Sequence, residues 1–339
     1  MVGSARLAGS AVKPGLEPTG AVAKPAPELF GLVPGRVLRW EAVGGGANNR
    51  AWRVTGDEGI FFLKEYYRGD PAGRDRGASE EAFYRVATER TPGYVPEALA
   101  WASGHRAGLF RWLEGRKLSA GEIREGHLDQ AFDFFARLNR APLPITGALP
   151  NAAETAVSVK GHLEIVEGRV RRLAELSGDA GDFVRGEVLP RWENIRRQAA
   201  PHGGMMAEPC LSPSDFGFHN ALVDAKGGLK FFDFEYAGWD DPAKMAADFV
   251  CQPRIPSPEG TRERLAALLA GLFPGDPTVV RRFEVLEPVY RVKWVCIILN
   301  SYLSDKQKIH SFAEKRDKPC FDQIQKLAEA RAYFSKLNN

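Results

Sequence analysis

The sequence predicts an α+β protein of two lobes, a small β-rich N-terminal lobe followed by a larger, mostly helical one. Three observations carry this expectation. Between Val37 and Lys64, short β-branched and aromatic runs are separated by glycine-rich turns. Beyond Gly115, apolar residues recur at three- and four-residue steps. A chain of 339 residues is long enough for two lobes and a sizeable core.

The elements follow in order. Residues 1–30 are rich in Ala, Gly and Pro with no period, and read as a flexible tail. Residues 31–114 form the predicted N-lobe and hinge, and 115–339 the C-lobe. Val37–Val43 reads as a strand, followed by Gly44-Gly45-Gly46. Ala51–Val54 resumes extended structure, and the turn Thr55–Gly59 leads into Ile60–Lys64, a hairpin with an aromatic return strand. Ser79 is the expected cap of a helix that turns Ala82, Phe83 and Val86 inward. Leu109–Leu113 reads as a further strand, ended by Glu114-Gly115. Helical periods then run through Leu128, Ala131, Phe132, Phe135 and Leu138, and through Leu163, Val166, Val170 and Leu173. One β-like segment, Leu211–Phe234, interrupts the helices. Its strands Ala221–Val223 and Leu229–Phe232 flank the turn Lys226-Gly227-Gly228. Trp239-Asp240-Asp241-Pro242 reads as a turn into a helix, with Asp241 at the N-cap and Pro242 at the first helical position. From Arg262 the pattern is helical again.

Composition narrows the function classes. There are 46 Lys+Arg against 43 Asp+Glu, and the excess of three lies within the first forty residues. A neutral body does not project the basic field of a nucleic-acid binder. Hydrophobic residues at 44% and charged residues at 26% are ordinary for a globular enzyme and exclude a collagen or a mostly disordered chain. No apolar run approaches the roughly 18 residues of a membrane span. The N-terminus lacks the continuous apolar segment of a signal peptide. Cys210, Cys251, Cys296 and Cys320 are widely spaced, as expected of reduced cytosolic thiols and not of a zinc or disulfide framework.

Three groups of residues could carry chemistry. Gly44-Gly45-Gly46-Ala47-Asn48-Asn49 lies between two strands, which excludes the strand-to-helix phosphate loops. A glycine turn there can lie over a nucleotide and bring backbone N–H groups to phosphate oxygens. Taken alone it also fits an ordinary hairpin turn. Lys64 ends an apolar strand, where its ammonium could reach phosphates if a carboxylate held it. Glu80 lies three residues before Phe83 and shares its inward face.

The densest group is Leu211–Val223 with Phe231-Phe232-Asp233-Phe234-Glu235. Asp215 lies in a loop, Asn220 at the start of a strand, and Asp233 at the end of its partner strand. The hairpin brings Asn220 and Asp233 together. A carboxylate and an amide oxygen suit Mg²⁺, which keeps waters and adds substrate phosphates. Asp215, just outside that pair, is placed to accept a proton from an acceptor hydroxyl. His219 has no second histidine at ligand spacing, so a structural or substrate-edge role is expected of it and not metal ligation. No Gly-x-Ser-x-Gly elbow is present.

In this order and spacing, the residues resemble the aminoglycoside phosphotransferase-like, or choline kinase-like, family of small-molecule kinases, a branch of the protein-kinase-like fold. Gly44–Val54 looks like the nucleotide loop, Phe62-Leu63-Lys64 the ATP-lysine strand, and Leu113-Glu114-Gly115 the end of the hinge. Asp215 and Asn220, followed by Asp233-Phe234-Glu235, look like the catalytic and metal motifs. The resemblance implies ATP and Mg²⁺ as co-substrate and cofactor, Asp215 as the catalytic aspartate, and Asn220 and Asp233 as metal ligands. It further implies that Lys64 holds α- and β-phosphates, that Glu80 orients Lys64, that Gly44, Gly45, Gly46 and Asn49 belong to the nucleotide site, and that backbone groups of Arg111 and Leu113 bind adenine. One departure is clear. Where most members have a histidine two residues before the aspartate, this chain has Pro213, whose fixed φ can stiffen the same turn.

The expected activity is phosphorylation of a hydroxyl on a small molecule such as a sugar or amino alcohol. The expected setting is the cytoplasm, without nucleic acid or stable membrane association. The alternatives are a nucleotide-binding pseudokinase without turnover, an aminoglycoside or macrolide antibiotic kinase, and a protein docking through its basic C-terminal helix. From Asp241 to Asn339 there are sixteen Lys/Arg and twelve Asp/Glu. That sign favours a neutral or anionic acceptor over a polycation.

Overall fold

The structure, a computed structural model, describes residues 24–44, 48–69, 73–102, 104, 106–141, 149–304, 307–309, 312 and 323–337. Its N-lobe is a five-stranded antiparallel sheet of order β1-β2-β3-β5-β4. The strands are β1 (Val37–Ala42), β2 (Arg50–Gly56), β3 (Gly59–Glu65), β4 (Ala98–Trp101) and β5 (Ala107–Arg111). Alternation decides the two faces. Trp52, Val54, Phe61, Leu63 and Leu109 point into a small core, while Phe62 and Lys64 share the opposite face. Lys64 pairs across the sheet with Gly108, where a Cβ would lie 2.7 Å from the Trp101 ring, so this position opposite the lysine takes only glycine without a shift.

Three expectations for this lobe are corrected. The tail ends earlier than residue 30: a 3₁₀ turn, Pro27–Leu32, buries Leu29 in the N-lobe core, and residues 1–23 lie outside the described residues. Helix α1 (Arg76–Arg90) begins before Ser79. Its cap is Asp75, whose carboxylate accepts the Ala78 N–H at 2.9 Å, while Ser79 donates its hydroxyl to the Asp75 carbonyl. Strand β5 runs two residues earlier than expected, and Trp112 and Leu113 lie beyond it in the connection to the C-lobe. There the Trp112 N–H still donates to the Ile60 carbonyl.

The C-lobe is built on helices α2 (Glu125–Asn139), α3 (Val159–Ala174), α4 (Gly178–Phe183) and α5 (Leu189–Ala199), with one π-helical stretch, Val184–Val188, joining the last two. Helices α6 (Pro242–Cys251), α7 (Thr261–Leu272), α8 (Val279–Ile298) and α9 (Gln323–Ser335) follow. The apolar faces read from the sequence are buried, with Leu128, Phe135, Leu138, Val166, Val170 and Leu173 all in the larger core. Two short ribbons sit between helices: β6 (Cys210–Ser212) with β9 (Gly238–Asp240), and β7 (Ala221–Val223) with β8 (Leu229–Phe231). Trp239 and Asp240 are therefore strand and not turn, but Asp241 does cap α6, accepting the Ala243 N–H at 2.9 Å. In the β7–β8 turn, Asp224 accepts the N–H groups of Lys226 and Gly228. Cys210, Cys251 and Cys296 are buried free thiols; Cys320 lies outside the described residues.

The lobes join at Leu113–Arg116. Gly115 takes φ +155°, and a Cβ there would meet the Val223 carbonyl at 2.8 Å. That close approach lets Arg116 and Val223 exchange both backbone hydrogen bonds, at 3.0 and 2.9 Å.

Candidate active site

Between the lobes lies a cavity of about 470 Å³. Gly44, Asn49, Lys64, Glu80, Arg111, Leu113, Asp215, Asn220 and Asp233 all line it, although they come from both ends of the chain. Gly45 and Gly46 lie outside the described residues.

Its centre is an ion-paired trio. The Lys64 ammonium donates to Glu80 Oε2 at 2.6 Å and to Asp233 Oδ1 at 2.5 Å. The second Glu80 oxygen accepts the Phe234 N–H at 3.0 Å, so one buried carboxylate fixes both the lysine and the backbone after Asp233. Burial opposes the charge on Lys64, but Asp233 and Glu80, with Glu235 behind them, outweigh it and hold its pKa above the ordinary value. Burial pushes the Glu80 carboxyl up against the opposing pull of Lys64.

Asp233 is not at the strand end the sequence suggested. Strand β8 stops at Phe231, and Asp233 sits two residues beyond it at φ +69°. Ser214, immediately before Asp215, has φ +66°. Non-glycine residues held in this region cost about 1–3 kcal/mol each and persist only where the surroundings fix them. For Asp233 those surroundings are Lys64 and the Phe234 N–H bond; for Ser214 they include its own N–H bond to Ser212 Oγ at 3.0 Å.

The loop Pro213–Asn220 presents Asp215 from below. His219 Nε2 lies 3.1 Å from Asp215 Oδ1, and the Asn220 amide donates to the Asp215 carbonyl at 3.0 Å and to Oδ2 at 3.2 Å. Burial pushes the Asp215 carboxyl up, but the hydrogen bond and charge of His219, with Arg254 and Asn220, outweigh it and hold the carboxyl below its ordinary value. His219 thus braces Asp215 from four residues downstream, while Pro213 stands two residues upstream. With its Nδ2 committed to Asp215, Asn220 has no hydrogen bond on its amide oxygen among the described residues. Asp233 keeps its second oxygen free of Lys64. These two oxygens fit Mg²⁺ completed by water and phosphate. Among the described residues no group of three His, Cys, Asp or Glu forms a protein-only metal cage.

The asparagines that follow the glycine run are held by Glu235, which the sequence places only as the last residue of the Asp233-Phe234-Glu235 motif. Glu235 accepts from Asn48 at 2.9 Å through one oxygen and from Asn49 at 2.6 Å through the other. Arg76 stands 3.6 Å behind it. The pair of adjacent asparagines was the available signal. At the hinge, the Arg111 N–H is already donated to the Glu97 carbonyl at 2.9 Å, which leaves the Arg111 carbonyl and the Leu113 N–H for a purine edge. Phe110, Leu222, Phe232 and Ala51 supply apolar walls.

The residues 39–283 match the phosphotransferase enzyme family. The chain belongs to that family. This phosphotransferase also shares its fold with solved small-molecule kinases. The choline/ethanolamine kinase family protein of Mesorhizobium loti matches with TM-score 0.58 at 19% identity, covering 93% of this chain and 90% of that one. The choline kinase LicA of Streptococcus pneumoniae gives TM-score 0.58 at 12% identity, covering 91% and 96%. The ADP-bound aminoglycoside phosphotransferase APH(2'')-Ib gives 0.55 at 14%, covering 91% and 97%. No curated protein matches the chain. The phosphotransferase has no helix among its described residues long and apolar enough to cross a membrane.

Proposed function

We propose that this phosphotransferase is an ATP- and Mg²⁺-dependent kinase that phosphorylates a hydroxyl of a small molecule. The observation that carries this is the convergence of Lys64, Glu80, Asp233, Asn220 and Asp215 on one cavity, with every side chain already held by a named partner. Phosphoryl transfer needs positioning and charge neutralisation far more than covalent chemistry, and this arrangement supplies both. Lys64 holds the α- and β-phosphates, the glycine turn covers them, and the Arg111 carbonyl and Leu113 N–H take the purine. Asn220 and Asp233 would hold Mg²⁺, whose charge would offset that of the transferring phosphates. Asp215 orients the acceptor hydroxyl and takes its proton as the oxygen attacks the γ-phosphorus. The bond to the β–γ bridging oxygen breaks, and ADP leaves.

Calorimetric titration of Mg·ATP tests the nucleotide half of this reading. The informative variant is Asp233→Asn, because asparagine tolerates the positive φ and removes only the charge. Wild type is expected to bind Mg·ATP, and the variant to lose at least about tenfold in affinity together with the Mg²⁺ dependence. Equal affinities with and without Mg²⁺ in both proteins would refute the metal assignment. Absence of nucleotide binding by wild type would refute the kinase reading.

A further inference from the structure

The cavity holds more positive charge than the reading above uses. Besides Lys64, four cations line it: Arg111, Arg116, Lys117 and Arg254. Two of these have partners outside the chemistry. Arg111 pairs with Glu97 and Arg116 with Glu122, both at 2.7 Å. Lys117 and Arg254 do not. The Lys117 ammonium donates to the His219 carbonyl at 3.2 Å and sits 5.7 Å from the centre of the Phe232 ring, so it lies between the aspartate loop and the turn that carries Asp233. Arg254, in the irregular segment between α6 and α7, has no hydrogen bond or ion pair among the described residues.

None of the three carboxylates of the cavity forms an ion pair with Lys117 or Arg254 among the described residues. Glu80 is held by Lys64 and the Phe234 N–H, Asp215 by His219 and Asn220, and Asp233 by Lys64 through one oxygen only. Yet the two free cations are close enough to feel their surroundings. Arg254 helps to lower the Asp215 carboxyl, and, after burial, it is the main cause that lowers the Lys117 ammonium, against the opposing pull of Asp233. Two like charges facing one partly enclosed space repel each other unless an anion lies between them. A guanidinium fork and a point-charge ammonium lining one cavity are well suited to a compact oxyanion.

We propose that Lys117 and Arg254 form an oxyanion site beside Asp215, taking a phosphate-like or carboxylate group at the point where the acceptor meets the nucleotide. The proposal rests on the kinase reading only for what surrounds the anion. The anion has two possible sources with the same chemistry: the γ-phosphoryl group in transfer, or an anionic group carried by the acceptor. In either case the pair disfavours a cationic acceptor at this spot. Choline and aminoglycosides, which the names of the structural neighbours carry, would bring positive charge against Arg254.

The test uses the full chain, with Lys117→Met, Arg254→Met and the double variant. Arg254→Lys serves as the charge-preserving control. Inorganic phosphate is titrated into nucleotide-free protein and into the Mg·AMP-PNP complex, and the affinities for Mg·ADP and Mg·AMP-PNP are measured alongside. Both cations are exposed, so unchanged melting temperatures are expected. Phosphate affinity of the free protein should fall about tenfold or more in each Met variant and recover in part in Arg254→Lys. If the γ-phosphoryl is the ligand, the AMP-PNP complex excludes phosphate, and the preference for AMP-PNP over ADP collapses in the variants. If the acceptor supplies the anion, that preference is unchanged and the AMP-PNP complex still binds phosphate through the pair. A double variant within twofold of wild type in every one of these affinities overturns the site, and so does a wild type that binds no phosphate and shows an unaltered ADP to AMP-PNP ratio in the variants. Nucleotide binding with no effect of the variants leaves the kinase reading standing without the site. Variant-sensitive phosphate binding without nucleotide binding does the reverse.

Discussion

Asp215 and His219 divide one task between them. Asp215 faces the cavity, while His219 is buried behind it, with Nε2 on the carboxylate and Nδ1 without a hydrogen-bond partner among the described residues. Removing the carboxylate should leave nucleotide binding intact and cut turnover by the roughly 10²–10⁴-fold of a lost general base. Asp215→Asn is therefore expected to bind Mg·ATP like wild type and to be nearly inactive on the identified acceptor. His219→Gln should lower kcat by less, with the nucleotide KM unchanged, because only the orientation of Asp215 is disturbed. A rise in nucleotide KM with unaltered kcat in either variant would contradict this division. At this scale the sequence was most informative where residue type and order coincide: Lys64, Glu80, Asp215, Asn220 and Asp233 all reach one cavity. Lys117 and Arg254 carry no such mark. One sits in an ordinary basic run, the other in an irregular segment, and only tertiary structure places them beside the aspartate.

The glycine turn shows why elements are less legible than residues. Its flanking strands follow from period-two alternation, with Trp52 and Val54 facing Phe61 and Leu63 in the small core. Asn48 and Asn49, which follow the glycine run, are held by Glu235, 186 positions from Asn49, and no local pattern encodes that contact. Strand β4 escaped notice for another reason: it is a four-residue edge strand whose residues are all half-buried, so it shows no alternation. The sequence points to Ser79 as the start of α1 because the cap, Asp75, lies between two arginines that look solvated, although Arg76 is buried against Glu235. The clamp makes a prediction at the scale of the element. Glu235→Gln keeps one acceptor oxygen but loses the charge facing Arg76 and one of the two asparagine bonds. Asn48 and Asn49, which line the cavity, should then be held less firmly, raising the nucleotide KM about tenfold while kcat changes little. Steady-state kinetics over a nucleotide series measures both. An unchanged KM would mean that nucleotide binding does not depend on the hold of Glu235 on the two asparagines.

Across the whole molecule, the loop that carries Asp215 is only as well placed as the helical lobe beneath it. Strand β6 leads into that loop, and its approach is pinned by a buried charge network. Arg282 on α8 bonds Asp241 at the head of α6 and Asp276, each at 2.8 Å, as well as the Met205 carbonyl. Asp276 accepts the Ala207 N–H at 3.0 Å, and His162 on α3 lies against Asp241. The sequence offered Asp241 as a helix cap but nothing of this network, since its members are scattered over four segments that only the fold assembles.

The network gives stability a pH dependence of definite sign. Burial pushes the Asp276 carboxyl up, but Arg282, the Ala207 N–H and Thr278 outweigh it and bring the carboxyl down to about 2. An unfolded aspartate titrates near 3.9, so its folded value is the lower one. The stabilisation is therefore complete above about pH 4 and is lost as pH falls toward 2; a gap of this size corresponds to about 2 kcal/mol. Asp276→Asn should cost at least that at pH 7, because it also leaves a buried guanidinium with one carboxylate in place of two. The difference between variant and wild type should shrink steadily between pH 4 and pH 2, where wild type itself loses the charge. Urea unfolding at pH 7, 5, 4 and 3 reads this directly. A penalty that stays constant down to pH 3 would place the role of Asp276 in its hydrogen bonds to Ala207 and Thr278 and not in its charge.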